Sequence, residues 1–191
     1  MFAFKNKYYL IIESTKDIDL STIKKVLKFN IIYRYQNIHE NVERLLRFRS
    51  ICKNKRINFF VSNNIKLAMF LKADGAYISA HNRDLRIAQF KNSKLKIIGS
   101  AHNLKELNLK ILQGCSDILV SRLFKTSYTF KAGFLGVVKY NLLPQLKKGS
   151  LVPLGGIRLS NLNKLKTVKC NSIALLSEIK KKPTKIISRL F

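Results

Sequence analysis

The chain is short of carboxylates, of cysteine and of long apolar runs. Only 10 of its 191 residues are Asp or Glu, against 37 Lys and Arg. So few acids argue against general acid–base work by paired carboxylates. They argue equally against a carboxylate cage for a divalent cation, since Mg2+ usually takes at least one such ligand. The 3 cysteines, Cys52, Cys115 and Cys170, are odd in number and widely spaced. They form no CxxC or Cys/His cluster, so neither a metal site nor a disulfide framework is indicated. Free thiols in a reducing compartment are expected instead. No apolar run approaches the roughly 18 residues that a membrane helix needs. The apolar patch from Tyr8 to Ile12 stops at Glu13, too short for the core of a signal peptide. It reads as the first strand of a cytoplasmic protein.

What is present is an ordinary globular composition, 47% hydrophobic and 25% charged, under an extreme net charge of +27. Such a charge favours anionic partners. The basic residues are scattered over every predicted helix rather than gathered in one patch or arm. They also accompany a general abundance of Lys, Asn, Ile, Phe and Tyr. Specific nucleic-acid binding is therefore not expected, nor is membrane association, while attraction of a small anionic substrate is. A homo-oligomer is compatible with the sequence.

Short apolar runs alternate with helix-period segments along the whole chain. Strands are expected over residues 7–12, 31–35, 57–61, 76–79, 95–99, 117–121, 151–154 and 172–176. Helices are expected over residues 37–53, 67–71, 83–90, 104–112, 137–146 and 159–168, with a basic helical tail. A further helix is expected to carry Ile23, Val26, Leu27 and Phe29, and the stripe of the 37–53 helix is read as Val42, Leu45, Leu46 and Phe48. Near-continuous apolar strands imply a sheet covered on both faces, and βα alternation implies parallel strands joined by crossover helices. Eight such units predict a compact (β/α)8 TIM barrel of eight parallel strands, one domain over residues 1–191. A doubly wound open sheet is the alternative. The chain lies below the usual barrel length of roughly 200 residues, so helices and loops must be trimmed.

In a barrel the carboxyl ends of the strands converge on one mouth. That mouth would hold Arg34, Ser62, Asn63, Asn64, Ser79, His81, Ser100, His102, Ser121, Arg122 and Ser177. The tetrapeptides Ser79-Ala80-His81-Asn82 and Ser100-Ala101-His102-Asn103 are identical and follow successive strands, an echo of repeated βα units. Leu151 to Leu154 runs into Gly155-Gly156, then a Ser160-Asn161 pair placed to cap a helix. Adjacent glycines let another group approach the backbone closely, and free N–H groups beside a helix start attract phosphate. The long loop over residues 122–134 carries Lys125, Thr126, Ser127 and Lys131. This set, rich in donors and cations, suits a phosphorylated ligand.

Three stretches together resemble one family. Phe60-Val61-Ser62-Asn63-Asn64 through Lys72-Ala73-Asp74-Gly75-Ala76-Tyr77-Ile78 is the first. Ile98-Gly99-Ser100-Ala101-His102-Asn103 is the second, and Pro153-Leu154-Gly155-Gly156-Ile157 through Ser172 to Ser177 the third. In this order and spacing they are similar to the thiamine-phosphate synthase/TenI barrels. The resemblance implies thiamine biosynthesis: a transferase that joins an aminopyrimidine pyrophosphate to a thiazole phosphate, assisted by magnesium. It implies a substrate pocket from Asn63, Thr126, Ser127, Lys131, Gly155, Gly156 and Ser177, and a pyrophosphate site with Arg34 and Ser100 as the catalytic residues. The family's magnesium-binding aspartates fall near Asn63 and Asn82, and its tautomerase histidine near Arg122. A thiazole tautomerase, or a barrel that keeps the phosphate pocket without the chemistry, is the alternative.

Overall fold

Each strand pairs in parallel with its neighbour in sequence, and the first closes on the last. The computed structural model describes residues 7–23, 28–35, 40–126, 133–143 and 150–177. The strands are β1 (Lys7–Ile12), β2 (Phe29–Tyr33), β3 (Asn58–Ser62), β4 (Gly75–Ile78), β5 (Lys96–Ala101), β6 (Asp117–Ser121), β7 (Ser150–Leu154) and β8 (Ser172–Leu175). Together they form the closed eight-stranded parallel barrel that the alternation predicts. Between them lie α1 (Val42–Asn54), α2 (Ile65–Phe70), α3 (Leu104–Leu112) and α4 (Gly136–Asn141). Short 3₁₀ segments, Thr15–Asp17, Leu20–Thr22, Leu85–Asn92 and Leu159–Thr167, stand in for longer helices. This is how so short a chain closes a barrel: a tighter helix rises further per residue and spans the crossover with fewer of them.

Alternation along each strand builds two apolar layers. Tyr9, Ile11, Ile32, Phe60, Tyr77, Ile98, Leu119, Val152 and Ala174 point inward and fill the barrel. Their neighbours, such as Tyr8, Leu10, Ile31, Phe59, Ala76 and Ile118, point outward beneath the helices. Both faces are buried, so the strands read as unbroken apolar runs.

Three expectations are corrected. Phe29 belongs to β2, paired with Tyr8 of β1 across the ladder and packed ring against ring; a partner strand outweighs helical spacing. On α1 the buried residues are Leu45, Phe48 and Cys52, whereas Val42 and Leu46 are exposed, because the helix turns a narrower stripe inward. Leu159–Thr167 is 3₁₀ rather than α-helical, and its N-cap is Arg158, not Ser160 or Asn161. The expected tail helix lies outside the described residues.

At the amino end of the barrel one carboxylate gathers its neighbours. Asp117 accepts a hydrogen bond from Tyr9 Oη (3.0 Å), another from Ser150 Oγ, and pairs with Lys96. Burial pushes the Asp117 carboxyl up, but the Lys96 ammonium and the three hydrogen bonds outweigh it and hold it below the usual range. Strands β1, β5, β6 and β7 are thereby tied at the end opposite the mouth.

Candidate active site at the carboxyl ends of the strands

A cavity of about 500 Å³ opens at the carboxyl ends of the strands. Its cations are Arg34, Arg122 and Arg158, its hydroxyls Ser79, Ser100, Ser121, Thr126 and Ser177, and its imidazoles His81 and His102. Glu13 is the carboxylate among the lining residues, and it pairs with Arg34 at 3.4 Å. Each side chain is delivered by the end of a strand: Glu13 by β1, Arg34 by β2, Ser79 by β4, Ser100 by β5, Ser121 by β6 and Ser177 by β8.

The Gly155-Gly156 turn at the end of β7 is held from two sides. The Gly155 carbonyl accepts from Phe124 N (3.0 Å). The Gly156 carbonyl accepts from Asn161 Nδ2 (2.8 Å), and Asn161 Oδ1 accepts from Arg158 N (2.8 Å). Gly156 has φ +71°, and a Cβ there would lie 2.4 Å from the Phe124 carbonyl oxygen. Only glycine fits such an approach. With its carbonyls engaged, the turn leaves the N–H groups of Gly156 and Ile157 without a hydrogen-bond partner among the described residues. The sequence marks Asn161 as a cap; its amide instead staples the turn.

Ser100 is almost fully buried at the cavity floor. Its Oγ accepts a hydrogen bond from Tyr77 Oη at 2.8 Å, which leaves the serine O–H as a donor for a ligand oxygen. Across the mouth, Arg122 Nη1 donates to Thr126 Oγ1 (3.1 Å), so the loop after β6 is tied to the guanidinium beside the glycine turn.

Of the residues expected at the site, Arg34, Ser100, Thr126, Gly155, Gly156 and Ser177 meet around this cavity. Ser127 and Lys131 lie outside the described residues. Asn63 is not among the lining residues. It has φ 53°, and its amide is spent on Ser79, accepting from the backbone N–H (2.9 Å) and donating to Oγ (3.0 Å). It therefore fixes the end of β4. Sequence reasoning missed Glu13 and Arg158; each directly follows a motif it did read, the first strand and the glycine turn.

The residues present do not fit magnesium. The positions to which the resemblance assigns magnesium-binding carboxylates carry the neutral amides of Asn63 and Asn82. Their side-chain oxygens are already engaged, that of Asn82 by Asp84 N (2.9 Å). Buried Lys110 places its ammonium 2.8 Å from the Asn82 carbonyl, a fixed cation where a second would be repelled. Among the described residues no group of three or more His, Cys, Asp and Glu could hold a metal ion.

The protein is similar along almost its whole described length to a known group. The thiamine-phosphate synthase of Prochlorococcus marinus subsp. pastoris is 27% identical over 179 residues, covering 91% of this chain and 51% of that protein. That of Pelagibacter ubique is 29% identical over 187 residues, covering 90% and 87%. The chain thus spans about half the length of the Prochlorococcus relatives. The structure of thiamine phosphate pyrophosphorylase from Pyrococcus furiosus superposes with a TM-score of 0.72 at 20% identity, with 100% of both chains covered, and shows the same fold. The family model described as thiamine monophosphate synthase matches residues 8–179. On that match, the closed barrel and the order of its strand-end motifs, the chain belongs to the thiamine monophosphate synthase/TenI family.

Proposed function

We propose that this barrel binds a thiazole phosphate at the Gly155-Gly156 turn and joins it to an aminopyrimidine pyrophosphate, with release of pyrophosphate. The observation that carries this reading is the turn itself. Its carbonyls are engaged, its Gly156 and Ile157 N–H groups are unpartnered among the described residues, and it opens on the cavity. An anion bound there gains charge-assisted hydrogen bonds. Thr126 and Ser177 line the same cavity, and the resemblance assigns Ser127 to this pocket and Lys131 to the pyrophosphate.

The second substrate lies toward Arg34 and Ser100. Departure of pyrophosphate develops negative charge, and donors aimed at that charge lower the barrier without reorganising. Arg34 supplies a fixed positive charge and Ser100 a hydroxyl donor oriented by Tyr77. Arg122 stands where the tautomerase reading needs a base, and a guanidinium cannot lose its proton in that role.

Incubating the purified protein with both substrates and following thiamine phosphate tests the reading. Thiazole-phosphate binding without any product would sink it and leave a phosphate-binding barrel. The amides at Asn63 and Asn82 favour that second reading.

A further inference from the structure

His102 and Glu106 form a pair at the mouth that the substrate pockets do not account for. Glu106 Oε2 accepts from the His102 backbone N–H (2.7 Å) and lies 3.0 Å from His102 Nδ1. Asn103, the N-cap of α3, accepts from Glu106 N through Oδ1 (2.9 Å), which fixes the backbone of the residue that carries the carboxylate. A carboxylate only accepts, so Nδ1 carries the hydrogen and Nε2 is the ring atom left for a ligand. The His102 ring lines the cavity and stacks on His81, centroids 6.1 Å apart. A helix cap alone requires no imidazole on that carboxylate and no second imidazole beside it.

Apart from the two imidazoles, the cavity-lining side chains offer no ready proton donor of this kind, and of the two only His102 has a carboxylate partner among the described residues. Arg34, Arg122 and Arg158 stay charged, and Glu13 is held by Arg34. His81 faces His102 from the end of β4, and Lys110 lies one turn further along α3. The carboxylates that would neutralise a departing pyrophosphate through magnesium are absent.

We propose that His102, held in place by Glu106, is the general acid that protonates the departing pyrophosphate. This rests on the synthase reading above. The carbon–oxygen bond of the aminopyrimidine ester breaks and its electron pair passes to the pyrophosphate oxygen. The Nε2 proton moves to that oxygen, and the thiazole nitrogen's lone pair forms the new carbon–nitrogen bond. Neutral His102 then regains a proton from solvent. Glu106 is a positioning residue, which orients the ring and fixes its Nδ1 hydrogen.

The test follows thiamine phosphate formation against pH in the intact protein, with a chelator and with added Mg2+, for wild type, His102→Asn, Glu106→Gln and His81→Asn. Wild-type turnover should persist with the chelator and fall toward alkaline pH. His102→Asn should lower kcat by roughly 100-fold, with KM little changed, and remove that alkaline fall. Glu106→Gln should lower kcat by roughly tenfold with KM little changed, as expected when a residue orienting a ring is lost. Nitrogen NMR of the His102 ring should show the hydrogen on Nδ1 in wild type and that tautomer preference weakened in Glu106→Gln. An aminopyrimidine ester of a difluoromethylene diphosphonate, a leaving group needing less protonation, should restore His102→Asn more than wild type. Product formation with an unchanged pH profile in folded His102→Asn, or no rescue by the diphosphonate, overturns the acid role and leaves the synthase reading standing. Absence of product from wild type at every pH overturns both.

Discussion

The carbonyl of Gly156 is fixed by one amide, and its Cα faces a backbone oxygen. Both facts set what a single change there does. In Gly156→Ala the new methyl would meet the Phe124 carbonyl oxygen at 2.4 Å with φ at +71°. Strain of this kind costs about 1–3 kcal/mol. Thermal melting should show that loss, and calorimetry should show thiazole-phosphate affinity weakened at least about tenfold, because the N–H groups move with the turn. Asn161→Ala removes the staple from the Gly156 carbonyl but adds no clash, so the same two measurements should show a loss near 1 kcal/mol. Arg34 differs from both. Its neighbour Glu13 has water to turn to, so Arg34→Gln should leave the melting temperature close to wild type. Pyrophosphate binding by calorimetry should nevertheless weaken by about tenfold or more, as expected for a charge-assisted contact.

Among the elements, the amino ends of β1, β5, β6 and β7 share the Asp117 cluster. Its carboxyl is held below the ordinary value of 3.8 in the folded chain. A group depressed in this way adds stability above its unfolded pKa, and that stability is lost as pH falls through the folded one. Denaturant melts should therefore weaken below pH 3.8 in wild type, with Asp117→Asn showing a smaller acid dependence. At neutral pH Asp117→Asn should cost about 2 kcal/mol, because Lys96 loses its counter-charge and two hydroxyls lose a strong acceptor. The thiols make a contrast at this scale. Burial pushes both Cys52 and Cys115 up to about 12, so they are packing groups beneath the helices and not nucleophiles. Much of this was legible. Asp117 to Ser121 as β6 and Leu104 to Leu112 as α3 follow directly from periodicity and caps. The grouping of Tyr9, Lys96, Asp117 and Ser150 was not, because Tyr9 of β1 reaches β5, β6 and β7 only across the interior of the closed barrel.

Over the whole molecule, charge and closure act together. A net charge of +27 surrounds a cavity with three arginines in its wall. Such a field raises the encounter rate of anions, and salt screens it over about 8 Å at 0.15 M. Stopped-flow binding of pyrophosphate should slow about tenfold between low and high salt, while dissociation changes much less. Equal salt dependence of both rates would contradict steering. No helix among the described residues is long and apolar enough to cross a membrane.

The sequence by itself determined the barrel. Apolar runs of strand length, each followed by a helical or 3₁₀ segment, admit a parallel sheet buried on both faces, and that pattern is local to each βα unit. It also determined the glycine turn, since paired glycines at a strand end need no distant partner to be recognised. Tertiary structure alone decided how the mouth is used. Asn161 became the staple of the turn and Asn63 the brace of Ser79. Glu106 was set on His102, and Lys110 was buried against Asn82. Each outcome depends on which polar atoms are left unpaired once the strands have closed, a balance struck between residues distant in sequence, or one helical turn apart on a surface whose facing side only the closed barrel defines.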